Sequence, residues 1–432
     1  MKKYIYTLVV TLAFVQPILA QNLDKVIAAK AASIEQQCIQ WRRYFHEHPE
    51  LSNREVETSK YIANFLQQIG IETRTGIGKY GVVGVLKGEK PGPVVALRAD
   101  MDGLPVTERV ALPFASKVKT SYGGQEVGVM HACGHDTHMA MLMSAAQILS
   151  TMKKDISGTV LFVFQPSEEG APAGEEGGAK LMLSDGVFTN PKVDMAFGIH
   201  INSMIEEGKV AVKAQGSWAA ADNFKIVVKG KQTHGTRPWS GVDPIVVSAQ
   251  IVTGLQTIVS RQMDLTREPV VITVGKIAGG IRSNIIPETC EMIGTIRTLD
   301  KEMQREVWER VKKTAEHIAE SAGATASVEF TPMTPVLVND PILLKKIMPS
   351  LEAAAGGESN VNVAMVQTGA EDFAYFAETV PSVFITLGGR AKKMDPLDAP
   401  PHHTPDFFIE ESSMITGVKV FCHLILDGHL SK

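Results

Sequence analysis

Met130-His131-Ala132-Cys133-Gly134-His135-Asp136-Thr137-His138 stands directly ahead of an apolar helical run, Met139 to Leu149. Three imidazoles, a thiol and a carboxylate fall within this one stretch. Their lone pairs bind transition-metal ions near neutral pH, and so many polar groups are costly to bury unpaired. His131, His135 and His138 share a face if the stretch is helical, while the Cys133–His135 spacing suits a loop. The bland alternative, a helix N-terminus whose histidines only cap or titrate, leaves this density unexplained. The stretch therefore reads as half of a metal site, with Cys133 bound as a thiolate.

Its neighbours decide the fold class. Upstream, the strand-like runs Gly81 to Leu86 and Val94 to Leu97 are joined by the turn-rich Gly88 to Pro93. The second run ends in Arg98-Ala99-Asp100-Met101-Asp102-Gly103. Downstream, Thr159 to Phe164 opens into Gln165-Pro166-Ser167-Glu168-Glu169-Gly170, and Met195 to Ile201 carries Gly198-Ile199-His200. Buried strands alternating with helices, with acids and a histidine at the strand ends, indicate an α/β sheet with its site there. Before the sheet, a helix over Asp24 to His48 is stopped by Pro49, and Ser52-Asn53-Arg54-Glu55 reads as a capping box for a helix that Gly70 closes.

Beyond Lys209 the pattern changes. Strand Asn223 to Lys229, helix Pro244 to Gln262, strands Pro269 to Lys276 and Thr289 to Arg297, helix Lys301 to Ser321 and strand Thr325 to Phe330 follow in order. That β-α-β-β-α-β order is ferredoxin-like. It predicts a second domain, 213–331, inserted into a first made of 21–212 and 332–432. In the latter piece Ser382 to Leu387 reads as a strand, Pro396 to Pro405 as a loop carrying His402 and His403, and Glu410 to Leu430 as a closing helix.

The chain has 432 residues, 44% hydrophobic and 21% charged, with a net charge of −4, and it suits two domains of an ordinary globular protein. Without a basic block, nucleic acid is excluded as an expected partner. Lys2 and Lys3 precede an apolar run, Tyr4 to Leu19, that contains Pro17 and ends at Ala20. This is the layout of a signal peptide over 1–20, so the mature chain is expected to be exported, periplasmic or secreted, with no membrane insertion after cleavage. Of four cysteines, Cys38, Cys290 and Cys422 read as buried apolar filler, and no disulfide framework is visible.

Other candidates are weaker singly. Glu168-Glu169, at a strand end, can point one carboxylate at a metal and the other at substrate. Glu175-Glu176 reads as a solvated acidic loop. His200 alone would be a core histidine, and His402-His403 a loop pair. His234, in Gln232 to Pro238, lies in a turn of the inserted domain, and Arg282-Ser283-Asn284 reads as a polar hairpin turn.

Together they resemble the two-metal aminoacylase and carboxypeptidase family, in the branch of hippurate hydrolases and auxin-conjugate amidohydrolases. The resemblance rests on Arg-Ala-Asp-Met-Asp-Gly-Leu-Pro (98–105), Met-His-Ala-Cys-Gly-His-Asp (130–136), Gln-Pro-Ser-Glu-Glu-Gly (165–170) and Gly-Ile-His (198–200). It continues through Asn-Ile-Ile-Pro (284–287), Gly-Ala-Glu-Asp-Phe (369–373) and His-Thr-Pro-Asp-Phe (403–407). It implies an α/β mixed-sheet metallohydrolase domain with an inserted ferredoxin-like dimerisation or lid domain, assembled as a homodimer or higher homo-oligomer. It assigns Cys133, His135, Glu169, His200 and His403 as ligands of two divalent ions per subunit, and Glu168 as general base. His234 would reach toward the scissile carbonyl, Asn284 would hold the substrate near its carboxylate, and Asp100 would stand just behind the metals. His131 and His138 read as supports. Zinc suits the donors best, with manganese, cobalt or nickel as alternatives.

The implied reaction is hydrolysis of the amide bond of N-acyl amino acids or related small conjugates, releasing a carboxylate and a free amino acid. Its rivals are a carboxypeptidase or dipeptidase acting on short peptides, and a metal-dependent binding module with a dead site. A dead site should lack the base or a ligand, and none is missing. Three departures bear on substrate choice, one of them Arg282 ahead of the Asn284 motif. Trp239 stands where the family's His-Ala-x-x-Pro-His has its second histidine, which suggests a larger apolar contact near the pocket. The loop after Glu169 is also longer and more acidic than usual.

Overall fold

A computed structural model describes the backbone of residues 2–431 and the side chains of residues 23–430. The leader read at 1–20 lies outside the residues whose side chains are described. Among the described residues no helix is long and apolar enough to cross a membrane. The chain divides into two compact units. One takes the chain up to Ala214, Asn339–Ala364 and everything from Phe376, and the other takes Gln215–Val338 with Met365–Tyr375.

The first unit is built on a mixed eight-stranded sheet. Its strands lie in the order Glu72–Ile77, Gly81–Lys87, Ser157–Gln165, Lys90–Asp100, Met195–Glu206, Ser382–Arg390, Val210–Val212, Val361–Val363. The three strands that carry acids or His200 are central. Lys90–Asp100 runs parallel to both Ser157–Gln165 and Met195–Glu206, so their C-terminal ends open on one edge. Central strands covered on both faces must be apolar throughout, and Val160 to Gln165 is buried without a break. The helix His135–Ser150 is buried nearly all round, packed against the helices Lys2–Glu47 and Met414–Leu426.

The second unit has a four-stranded antiparallel sheet ordered Val270–Gly279, Thr289–Thr298, Ala220–Lys229, Thr325–Thr334. The helices Pro244–Arg261 and Lys301–Ser321 pack on it, each started by an aspartate, Asp243 or Asp300, that accepts first-turn N–H groups. Its last strand runs beyond residue 331, and Met365–Tyr375 joins the unit. Ala219 N–H donates to Gln367 and Gly369 carbonyls, and the Tyr375 hydroxyl donates to Met333 O at 2.6 Å. Such tertiary hydrogen bonds leave no periodic trace in the sequence.

Two local expectations are corrected. The helix Val56–Gln68 is preceded by Glu55, which makes no side-chain cap, so Ser52 to Glu55 is not a capping box. Glu50 caps instead, accepting from the N–H groups of Glu57 (3.2 Å) and Thr58 (2.8 Å). Ser52 is drawn off by a tertiary partner, donating to Asp102 Oδ2 at 2.6 Å. Glu175 is not a solvated loop acid either. It accepts from Arg54 (2.7 Å), Lys79 (2.8 Å) and Asn53 (3.1 Å), fastening the 171–176 loop to the segment before the second helix. Gly70 does close its helix, with φ 72°.

Removing the Glu50 cap should cost about 1 kcal/mol, a thermal midpoint roughly 2–4 °C lower for a unit of this size. Calorimetry of Glu50→Ala checks this, and an unchanged midpoint would show that the carboxylate does not cap.

Candidate metal centre

The left-handed Gly134 (φ 95°) separates Cys133, in the loop, from His135, the first residue of its helix. A Cβ at Gly134 would stand 2.5 Å from Ile201 Cγ2, so the turn requires glycine. His131 lies outside the helix and does not share a face with His135 and His138. It is fully buried, and burial pushes its pKa down to about 4.

Asp102 holds the opposite wall. Both of its oxygens accept consecutive backbone N–H groups, Glu168 N at 3.1 Å and Glu169 N at 3.0 Å. Ser167, at φ 59°, makes the turn that aims them there. The Asp102 carbonyl accepts from His135 Nδ1 at 2.8 Å, leaving the Nε2 lone pair turned inward. Burial alone would raise the Asp102 pKa. The His135 and Ser52 hydrogen bonds and the Glu169 N–H hold it below the usual range.

The ring nitrogens sort the histidines. His138 donates from Nδ1 to Asp100 Oδ1 at 2.6 Å and accepts Ile201 N–H at Nε2 (2.8 Å), so neither nitrogen is left for a metal. His402 is occupied in the same way, with Nδ1 3.2 Å from Cys133 O and Nε2 accepting from Ser203 N–H at 3.1 Å. By contrast, His200 spends Nδ1 on the Ile201 carbonyl (2.6 Å) and sets Nε2 3.4 Å from Cys133 Sγ. His403, in the left-handed region at φ 62°, sets Nε2 3.3 Å from Cys133 Sγ and 3.1 Å from Glu169 Oε1. His135 Nε2 lies 3.8 Å from Glu168 and 3.9 Å from Glu169.

Three groups of donor atoms result, each within 4.8 Å: Cys133–His135–His200, Cys133–Glu169–His403 and His135–Glu168–Glu169. They gather all six residues that the sequence nominated in this unit. His135 Nε2 and Glu169 Oε1 are buried with no hydrogen-bond partner, as expected of atoms placed for a cation. The field agrees. Burial works against a charged His135, yet Asp100, Asp102 and Glu169 lift its pKa to about 10. Burial and the carboxylates of Glu169, Glu168 and Asp100 push the Cys133 thiol well up, so a thiolate here needs a cation beside it. The residues fit divalent metal.

His234 and Asn284 belong to the second unit, where their two segments pair. Gly235 N–H donates to Asn284 O at 2.8 Å, and Thr233–His234 pairs with Ile285–Ile286. His234 Nδ1 accepts from Thr236 N–H (3.2 Å), which puts its proton on Nε2. Trp239 is 79% exposed.

Residues 96–427 match the profile of Peptidase family M20/M25/M40. Thermostable carboxypeptidase 2 of Saccharolobus solfataricus is 41% identical over 89% of this chain and 93% of its own. The chain belongs to peptidase family M20/M25/M40. A second M20 relative, the N-acetylcysteine deacetylase of Bacillus subtilis, is 38% identical over 89% of this chain and 95% of its own. The Bacillus subtilis YXEP protein, described as a dinuclear metal binding peptidase from the M20 family, superposes with TM-score 0.78 at 34% identity, over 93% of this chain and 99% of that one. The expected family and its mixed α/β fold are borne out.

Reading the M20 motifs missed Asp102 as the organiser. Its signal was the period-2 spacing Asp100-Met101-Asp102, which puts both carboxylates on one side of a strand end. Glu55 was also passed over beyond its supposed capping role. It accepts Ser167 N–H at 2.8 Å, while its Oε2 is buried without a partner. Burial, then the Asp102 charge, lift its pKa from 4.5 to about 8. An acid whose folded pKa stands above its unfolded value resists ionisation in the native state, so stability is lost as pH rises between the two values. Glu55→Gln removes that ionisation. After chelation, its thermal midpoint should gain on the wild type from about pH 5 and level off above about pH 8; a difference that stays constant with pH would show that Glu55 does not titrate there.

Proposed function

We propose that the chain is an exported, two-metal amidohydrolase that cleaves N-acyl amino acids or related small amide conjugates. One observation carries the reading: the donor atoms of Cys133, His135, Glu169, His200 and His403 converge beside the carboxylate of Glu168, with His135 Nε2 and Glu169 Oε1 buried and unpartnered. These five would hold two divalent ions. Zinc suits the thiolate and imidazole donors best, with manganese, cobalt and nickel as the alternatives. Bound divalent ions supply Lewis acidity, lowering the pKa of water and polarising a carbonyl.

The chain's own residues do the rest. Glu168 takes a proton from the water that attacks the amide carbon and returns it to the nitrogen as the C–N bond breaks. Its backbone is pinned to Asp102, so the base is positioned before substrate arrives. For His234 the reading rests on its motif and tautomer, an Nε2–H suited to donate to the developing oxyanion. Asn284 would anchor the substrate near its carboxylate, again on the strength of its motif. Export rests on the leader, and a homodimer on the family resemblance.

Dialysis against a chelator should abolish hydrolysis of N-acyl amino acids, and divalent metal should restore it. Turnover that persists after mass spectrometry confirms metal loss would end this reading. Glu168→Gln should keep its metal and lose roughly 10²–10⁴-fold in kcat. A fast Glu168→Gln enzyme would move the base to another carboxylate. His234→Ala should lower kcat with metal content intact; loss of metal would make His234 a ligand instead.

A further inference from the structure

All four side chains of Ser52-Asn53-Arg54-Glu55 reach either the loop that follows Glu168 or the residues that hold it. Ser52 donates to Asp102 Oδ2 at 2.6 Å, and Arg54 donates to both oxygens of Glu175. Asn53, fully buried and left-handed at φ 58°, donates from Nδ2 to Glu176 O at 3.0 Å. Glu55, also fully buried, accepts Ser167 N–H at Oε1, 2.8 Å away. The segment 167–176 is thereby gripped at its start by Glu55 and at its end by Asn53 and Arg54. Its end also packs closely, since a Cβ at Gly177 would stand 2.7 Å from Ser167 Oγ and 2.9 Å from Asn53 Oδ1.

Three consecutive N–H groups, those of Ser167, Glu168 and Glu169, each end on a carboxylate. Asp102 takes the last two, one per oxygen, together with the Ser52 hydroxyl, so the buried Ser167 N–H needs a second acid. A serine at φ 59° stays in that sparsely populated region only where its surroundings over-determine it. Glu55 is a firm anchor for it. Its own carbonyl accepts Ser59 N–H at 3.0 Å, at the start of a helix whose Ile62 and Leu66 lie in the core. Burial, then the Asp102 charge, keep the Glu55 carboxyl protonated at neutral pH. With Oε1 accepting, its proton belongs on Oε2. A neutral hydrogen bond from a rigid helix end therefore sets the turn.

We propose that Glu55 is a positioning residue for Glu168: its Oε1 fixes the Ser167 turn, and through that turn the placement of the base. The effect on rate rests on the amidohydrolase reading, whereas the effect on the turn stands without it.

Three variants test this. Glu55→Gln, an isostere of the neutral acid, keeps the acceptor; Glu55→Asp withdraws it by one methylene, and Glu55→Ala removes it. Kinetics are measured on an N-acyl amino acid with divalent metal saturating, so a weaker hold by Glu169 does not enter kcat. Glu55→Ala should lose roughly 10–10²-fold in kcat with KM nearly unchanged, the size of loss a slightly displaced group produces. Glu55→Asp should fall between, and Glu55→Gln should restore most of the rate. Beside Glu168→Gln, the Glu55→Ala change should cost no further rate, because the base it places is gone. Hydrogen exchange followed by mass spectrometry over 165–170 should run roughly tenfold faster in Glu55→Ala than in the wild type or Glu55→Gln.

Wild-type kcat in Glu55→Ala, or Glu55→Gln as slow as Glu55→Ala, would overturn the proposal. So would a loss that recurs in full beside Glu168→Gln, which is the mark of a general weakening of the fold, or exchange over 165–170 that does not move. If Glu55→Ala does not fold, Glu55→Asp carries the same comparisons. A wild type that hydrolyses no N-acyl amino acid would overturn the amidohydrolase reading instead, and the exchange measurement would still decide whether Glu55 holds the turn.

Discussion

The Asp102 carboxylate is the constraint on which the centre depends. It accepts the backbone N–H groups of Glu168 and Glu169 and the hydroxyl of Ser52, while its own carbonyl fixes the His135 tautomer. One buried charge thereby couples three chain segments, and Glu168 and Glu169 are held through their backbone. An anion with no water around it would be costly if its hydrogen bonds were incomplete, and here they are satisfied.

A second buried carboxylate stands behind the helix. Asp136, adjacent to His135, pairs with Arg42 Nε at 2.8 Å and His46 Nδ1 at 2.9 Å. Burial would raise its pKa, but Arg42 and His46 hold it far below the ordinary range. Asp100 is treated likewise by Arg98 and His138, both at 2.6 Å. Asp136 and Asp100 are thus each paired with a buried arginine, Arg42 and Arg98.

Much of this was legible in the sequence because periodicity is a local property. The helix Lys301–Ser321 and the ferredoxin-like order of the second unit follow from apolar spacing and an aspartate cap. The donors were legible because His and Cys at strand ends have few structural uses. What escaped notice was decided across the chain. Ser52 looked like a helix cap until Asp102 claimed its hydroxyl. Glu175 looked solvated until Arg54 and Lys79 reached it, and Met365–Tyr375 joined the second unit through contacts such as the Ala219 N–H to the Gln367 carbonyl. The adjacent His402 and His403 are chemically identical in sequence, and it is the Cys133 carbonyl and the Ser203 N–H that occupy the His402 ring.

His403 and Cys133 approach each other across 270 residues of chain. Cys133 and His135 come early and close together, but the donor set is not complete until the last histidine has been synthesised and its left-handed turn has docked. A nascent or partly folded chain can offer a passing ion only fragments of the site. A divalent ion would meet the full donor set only after folding has brought His403 to Cys133.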